Sequence, residues 1–293
     1  MEIELDSRQL AVTPPASLDA LLAVFDQRVE HFWQELSRCQ QGFSEEAVHD
    51  LRVSIRRLLS LLDLLGGLPD PVPVKKLRRR LKAQLTSMGA LRDVQVMLAA
   101  VQSIETPLLG QQAFTTYLMG LEQQQREQAR QTLNCFPAGK VFRRLNIARK
   151  ALQVPGTNRN WYEALLAAVE GAFTECSTRY LAVRRTNPET VHSVRIAFKR
   201  FRYSVEIIEQ VRPACSEAYF HALRHYQTLL GNIQDADVLL KALEDFAKEH
   251  AATDVVALLR YADQRRTACI SEYWRQKEKL AALRFPASTV GRV

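Results

Sequence analysis

The sequence predicts an all-α fold built from two helical repeats, and three observations carry that prediction. Glycine and proline are scarce, at 11 each in 293 residues, and strand-like alternation is nearly absent, which favours helix over sheet. Apolar residues make up 47% of the chain, enough to bury a core, and they recur at helical spacing. A ten-residue segment also occurs twice. Val48-His49-Asp50-Leu51-Arg52-Val53-Ser54-Ile55-Arg56-Arg57 returns as Val191-His192-Ser193-Val194-Arg195-Ile196-Ala197-Phe198-Lys199-Arg200, with four positions identical and four more alike in chemistry. Such an echo marks an internal duplication.

Residues 2–6 read as a short strand or extended arm, closed by Thr13-Pro14-Pro15. Ser17 and Asp19 then open a helix to about Cys39, with Leu21, Leu22, Phe25, Phe32 and Leu36 on one side. Ser44-Glu45-Glu46 starts the helix of His49, and Gly66-Gly67 with three nearby prolines stops it. Further helices are expected at about 74–89, 91–104, 111–133 and 140–152. The stretch Val154 to Asn160 is the best linker in the chain. After it the order restarts, with helices at 161–185, 188–211, 216–230, 236–250 and 254–283. Pro188 suits a first helical turn.

His49 and His192 are 143 residues apart; Gly89 and Gly231, and Asp93 and Asp235, are each 142 apart. Two motifs in the same order at nearly one offset point to two bundles packed as a pseudo-twofold pair. The expected division is an N-terminal arm (1–14), a first helical repeat (15–152), a linker (153–160), a second repeat (161–285) and a C-terminal tail (286–293).

Five scattered cysteines without a Cys-x-x-Cys pair argue against a disulfide scaffold or thiolate zinc site. No apolar run approaches membrane-spanning length, and the first ten residues carry acids where a signal peptide has a basic start. A soluble cytoplasmic protein is expected. The net charge of +8 suits a polyanionic partner, although many proteins carry such charge for solubility alone.

Helix geometry sharpens the charge argument. With His49 at zero, Arg56 lies about 20° and Arg52 about 60° to one side, and Arg57 about 80° to the other. Leu51, Ile55, Leu58, Leu62 and Leu65 lie opposite. The second copy has His192, Arg195 and Lys199 on its polar side, Arg200, Arg202 and Tyr203 at the edges, and Val194, Phe198, Phe201, Val205 and Ile208 opposite. A solvated charged face is the ordinary fate of such cations. Solvation does not, however, need the same His and Arg at the same angle twice. Asp50 is the single acid between His49 and Arg57, and none lies between His192 and Arg202.

The third helix adds Lys75, Arg78, Arg79 and Lys82 within an arc of about 100°, with Lys76 and Arg80 beside them. Six cations in eight residues repel one another unless an anion is present. His221 and Arg224 match Arg79 and Lys82 in the second half, but Glu217 and Phe220 replace Lys75 and Arg78. The halves are therefore expected to contribute unequally. Gly89 and Gly231 suit left-handed helix ends, and Asp93 and Asp235 suit caps or supports for an arginine.

The His-x-x-Arg-x-x-x-[Arg/Lys]-Arg segment, followed about 40 residues later by Gly-x-x-x-Asp and occurring twice, resembles the CHAD family. His49-Asp50-Leu51-Arg52, Arg56-Arg57 and Arg92-Asp93-Val94 match its first half. His192-Ser193-Val194-Arg195, Lys199 to Tyr203 and Leu230 to Ala236 match its second. The resemblance covers about residues 15–285. It implies two four-helix bundles related by a pseudo-twofold with a basic groove or pore between them. It also implies binding of inorganic polyphosphate and association with polyphosphate granules. Members are often fused to a triphosphate-tunnel domain with a Glu-x-Glu-x-Lys strand. Glu2 and Glu4 fit that strand, but Asp6 stands at the cation's place, so a stand-alone CHAD domain is expected. Gln95 departs from the family's usual acid, which Asp237 keeps, and this weakens a paired metal site.

The favoured reading is a non-catalytic polyphosphate-binding module. Its expected contacts are His49, Arg52, Arg56, Arg57, Lys75, Arg78, Arg79, Lys82, His192, Arg195, Lys199, Arg200, Arg202 and Arg224. Neutralising a phosphate polymer releases counterions, and arginine forks match phosphate oxygens. A phosphotransferase or phosphatase is the alternative. Against it, no Walker-type loop and no acid cluster accompany the cations. Metal binding by His221 and His225 lacks a third ligand. Nucleic acid is disfavoured because few aromatics (Tyr203, Phe220, Tyr226) stand near the cations. No catalytic residue, metal ligand or cofactor is assigned.

Overall fold

The computed structural model describes residues 16–154, 160–185, 187 and 189–286. The expected strand at 2–6, the centre of the linker and Pro188 lie outside these residues. Ten α-helices follow in order among the described residues. In the first half they are α1 (Leu18–Gln41), α2 (Glu45–Gly66), α3 (Lys75–Ser87), α4 (Gly89–Gln102), α5 (Gln111–Asn134) and α6 (Ala138–Leu152). In the second half they are α7 (Trp161–Leu181), α8 (Glu189–Val211), α9 (Glu217–Glu249) and α10 (Val256–Gln276), which runs on into a 3-10 helix, Lys277–Leu283.

Serines start three of these helices. The side chains of Ser17, Ser44 and Ser216 accept the backbone N–H of Ala20, Ala47 and Tyr219, satisfying donors that a helix start leaves unpaired. Glu45 and Glu46 add negative charge at the positive end of α2.

The expected apolar stripes are the buried ones. Leu51, Ile55, Leu58, Leu62 and Leu65 of α2, and Val194, Phe198, Phe201, Val205 and Ile208 of α8, are all fully buried. With one stripe committed to the core, the cations of both helices must point elsewhere. α1 packs on α2 and α7 on α8; α2 and α8 also meet each other.

Buried apolar residues form two clusters, and neither is confined to one half of the sequence. The larger joins Phe25, Phe32, Ile55, Leu81 and Leu145 to Phe173, Phe198, Phe201 and Tyr226. The smaller joins Val94, Leu98, Phe114 and Leu118 to Leu239, Leu243, Phe246 and Leu258. Phe114 and Phe246 meet edge to face at 5.2 Å between ring centroids.

Two glycine assignments need correction. Gly231 does not end a helix: α9 runs through it for 33 residues, about 50 Å. Leu229, Leu230, Ile233, Ala236 and Leu239 are all buried, so packing on both sides holds the helix together across the glycine. Gly89 likewise opens α4 rather than closing α3, after a break at Met88. Among the described residues the left-handed glycine is instead Gly110, at φ 78° ahead of α5. A Cβ there would strike the Asp254 carbonyl. Two expected helix ends also move: the 161–185 helix stops at Leu181, and the last stretch tightens into 3-10 turns.

Candidate functional site

A cavity of about 240 Å³ lies where α2, α4, α8 and α9 come together. α2 supplies Arg52 and Arg56; α8 supplies His192, Arg195 and Lys199. Gly89, Asp93 and Val96 of α4 and Gln234, Asp235 and Val238 of α9 complete the wall. Arg52 and Arg195, Arg56 and Lys199, Asp93 and Asp235, and Val96 and Val238 are pairs at the 143- or 142-residue offset of the sequence. Both members of each pair line the cavity.

The cations here stand in a costly setting. Burial, reinforced by the charges of Arg195 and Arg56, pushes the Lys199 ammonium down to about 7. Burial, with Arg56 adding to it, pushes Arg52 down to about 10. Arg195 is lowered by burial as well. Desolvation and like charge both disfavour the charged form of these groups. Arg52 Nη1 donates to the Leu85 carbonyl at 2.9 Å, which fixes the guanidinium. The buried Nε of Arg195 has no hydrogen-bond partner. His192 Nδ1 is hydrogen-bonded to Gln234 Oε1.

Asp93 and Asp235 do not cap helices. Asp93 is the fifth residue of α4, and Asp235 lies mid-α9. Both face the cavity, where burial raises their carboxyl pKa values and Arg52 and Arg195 respectively oppose that rise. They temper the positive charge without an ion pair within 4.0 Å among the described residues.

Five of the fourteen expected contacts meet in this cavity: Arg52, Arg56, His192, Arg195 and Lys199. His49 is exposed one turn away, held below the ordinary histidine value by burial and then Arg92. Arg57 lines a different cavity, of about 560 Å³, with Arg28, Glu206 and Glu209. Its carbonyl accepts Arg28 Nη1 at 3.1 Å. Arg78 is ion-paired with Asp63, and Arg200 with Glu175 at 3.2 Å. Arg202 pairs with Glu206 at 3.2 Å and lies over the Tyr203 ring. Lys75, Arg79, Lys82 and Arg224 are exposed. Arg78, Arg200 and Arg202, expected as anion contacts, thus each carry an acidic partner, and the expected lack of acids at i±4 needs correction at Arg202. Two of those acids come from other helices; Glu206, at i+4, was within reach of the sequence.

Among the described residues no three His, Cys, Asp or Glu side chains are grouped to hold a metal ion. No helix there is long and apolar enough to cross a membrane.

A bundle with this charged cavity has known relatives. Residues 23–244 match the family model of the CHAD domain, and the chain belongs to that family. The crystal structure of the CHAD domain from the plant Ricinus communis is similar over 96% of both chains, with TM-score 0.67 and 21% identity. PptA from Streptomyces chartreusis is similar over 92% of this chain and 97% of that one, with TM-score 0.59 and 17% identity. At those identities the likeness establishes the fold. No curated protein sequence matches the chain.

Proposed function

We propose that this CHAD domain is a non-catalytic module for inorganic polyphosphate, working in the cytoplasm and at polyphosphate granules. The observation that carries the reading is the meeting of Arg52, Arg56, His192, Arg195 and Lys199 in one cavity. A linear polymer with about one charge per unit offers each cation a partner and releases counterions on binding. Arg56 and Lys199 have no hydrogen bond or ion pair among the described residues, so no acid competes with a phosphate for them, and a phosphate would favour the charged form of Lys199. Lys75, Arg79 and Lys82 are exposed on α3 and would take further units of the polymer. Few aromatics flank the cavity, which favours a bare phosphate chain over a nucleic acid that needs stacking.

Equilibrium titration with polyphosphate of defined length, with single-stranded RNA as competitor, tests this reading. Polyphosphate should bind in the micromolar range or tighter and resist displacement by RNA at physiological salt. Displacement by equimolar RNA would overturn it.

A phosphoryl-transfer reading is favoured by one observation, the two carboxylates Asp93 and Asp235 inside the cationic cavity. Incubation with polyphosphate and magnesium separates the readings. Constant chain length supports a binding module; shortening supports transfer or hydrolysis.

A further inference from the structure

Four cations outside the central cavity line another one, of about 380 Å³, at the junction of α3 and α6. Arg80 comes from α3; Lys140, Arg143 and Arg144 come from α6, with Ile147 as an apolar wall. No carboxylate lines it. Neighbours on the same two helices are neutralised, Arg78 by Asp63 and Arg149 by Asp26. These four have no ion pair among the described residues, and the buried Nε of Arg80 has no hydrogen-bond partner.

Folding does not require this arrangement. The core needs Val141, Leu145, Ala148 and Leu152 from α6, all buried, and the cations lie off that stripe. α6 carries five cations and no acid, and its start lacks a side-chain cap. Lys140 falls in its first turn, where the positive end of the helix dipole disfavours a cation, and Arg143 and Arg144 follow one turn on. α3 also carries six cations and no acid. Both helices thus bring like charge to one junction, and an anion there would relieve the repulsion.

We propose that the α3–α6 junction is a second anion site, separate from the central cavity, that takes an oligophosphate of a few units. Guanidinium forks and an ammonium suit phosphoryl oxygens. The ligand is either a free oligophosphate or one stretch of a longer polyphosphate strand.

Calorimetric titration of the full chain with tripolyphosphate at low salt tests the site. The wild type should show two classes of binding. Lys140→Glu/Arg143→Glu, which alters two exposed residues, should lose one class. Arg56→Gln/Lys199→Gln should keep that class, so failure of the central-cavity reading is seen separately. Wild-type stoichiometry and affinity in Lys140→Glu/Arg143→Glu would overturn the proposal. A long polyphosphate identifies the source once that class is lost. Tenfold or greater weakening in the same variant means one strand spans both sites, and unchanged affinity means a free oligophosphate occupies the junction.

Discussion

Lys199 of α8 and Arg56 of α2 line the central cavity together, where burial, reinforced by the charges of Arg195 and Arg56, pushes the Lys199 ammonium down to about 7. The two occupy corresponding positions of the repeated segment. A phosphate polymer placed between them favours the charged ammonium and raises its pKa. Binding is then coupled to proton uptake above pH 7. Affinity for polyphosphate should fall as pH rises from 7 toward 9, by up to about tenfold per unit, and level off below 7. Lys199→Arg should flatten that dependence, and calorimetry in buffers of different ionisation enthalpy would read the proton directly.

The same group makes a stability prediction of definite sign. The folded-state value of about 7 lies below the ordinary lysine value of 10.5. Between those values the unfolded chain holds more of this proton than the folded one, so stability from this group rises with pH across that window. Its cost is fully present below pH 7. Lys199→Met should therefore raise the melting temperature of the unliganded protein near pH 7 while weakening polyphosphate binding. A variant both less stable and unaltered in binding would count against this assignment.

The α3 cations should matter more than their counterparts on α9. Lys75, Arg79 and Lys82 are exposed, whereas Glu217 and Phe220 interrupt the matching face in the second half. Lys75→Glu/Arg79→Glu/Lys82→Glu should weaken long-chain polyphosphate binding severalfold more than His221→Glu/Arg224→Glu. Filter binding across chain lengths would show the difference, and equal losses would refute the asymmetry.

Two glycines should respond oppositely to alanine. Gly110 has φ 78° and no room for a Cβ beside Asp254, so Gly110→Ala should cost about 1–3 kcal/mol. Gly231 sits inside α9, and apart from its chain neighbours and the backbone of its own helix no atom lies within 4 Å of where an alanine Cβ would stand. Gly231→Ala should stabilise by up to about 1 kcal/mol. Urea denaturation of the two variants checks both signs.

Much of the fold was legible because helix periodicity is local. The stripes behind His49 and His192, and the serine starts at 17, 44 and 216, are written within a few residues of where they act. Gly231 misled because a glycine reads as a stop, while the buried leucines on either side of it in α9 belong to tertiary packing. The site was half legible. Angle arithmetic put Arg52, Arg56, Arg195 and Lys199 on facing sides, but it could not show Asp63 reaching Arg78 or Glu175 reaching Arg200. Nor could it place Asp93 and Asp235 inside the cavity. The α6 cluster did carry a signal, five cations in a helix without one acid, and its meaning depends on Arg80 arriving from α3.

The most direct test is a salt series. Polyphosphate of defined length is titrated against the wild type and Arg56→Gln/Lys199→Gln, and log K is plotted against log salt. Cavity binding predicts a wild-type slope of about −3 or steeper, a slope shallower by about 1.5 in the variant, and at least tenfold weaker binding at physiological salt. Equal slopes and equal affinities for the two proteins would contradict the assignment of this cavity as the polyphosphate site.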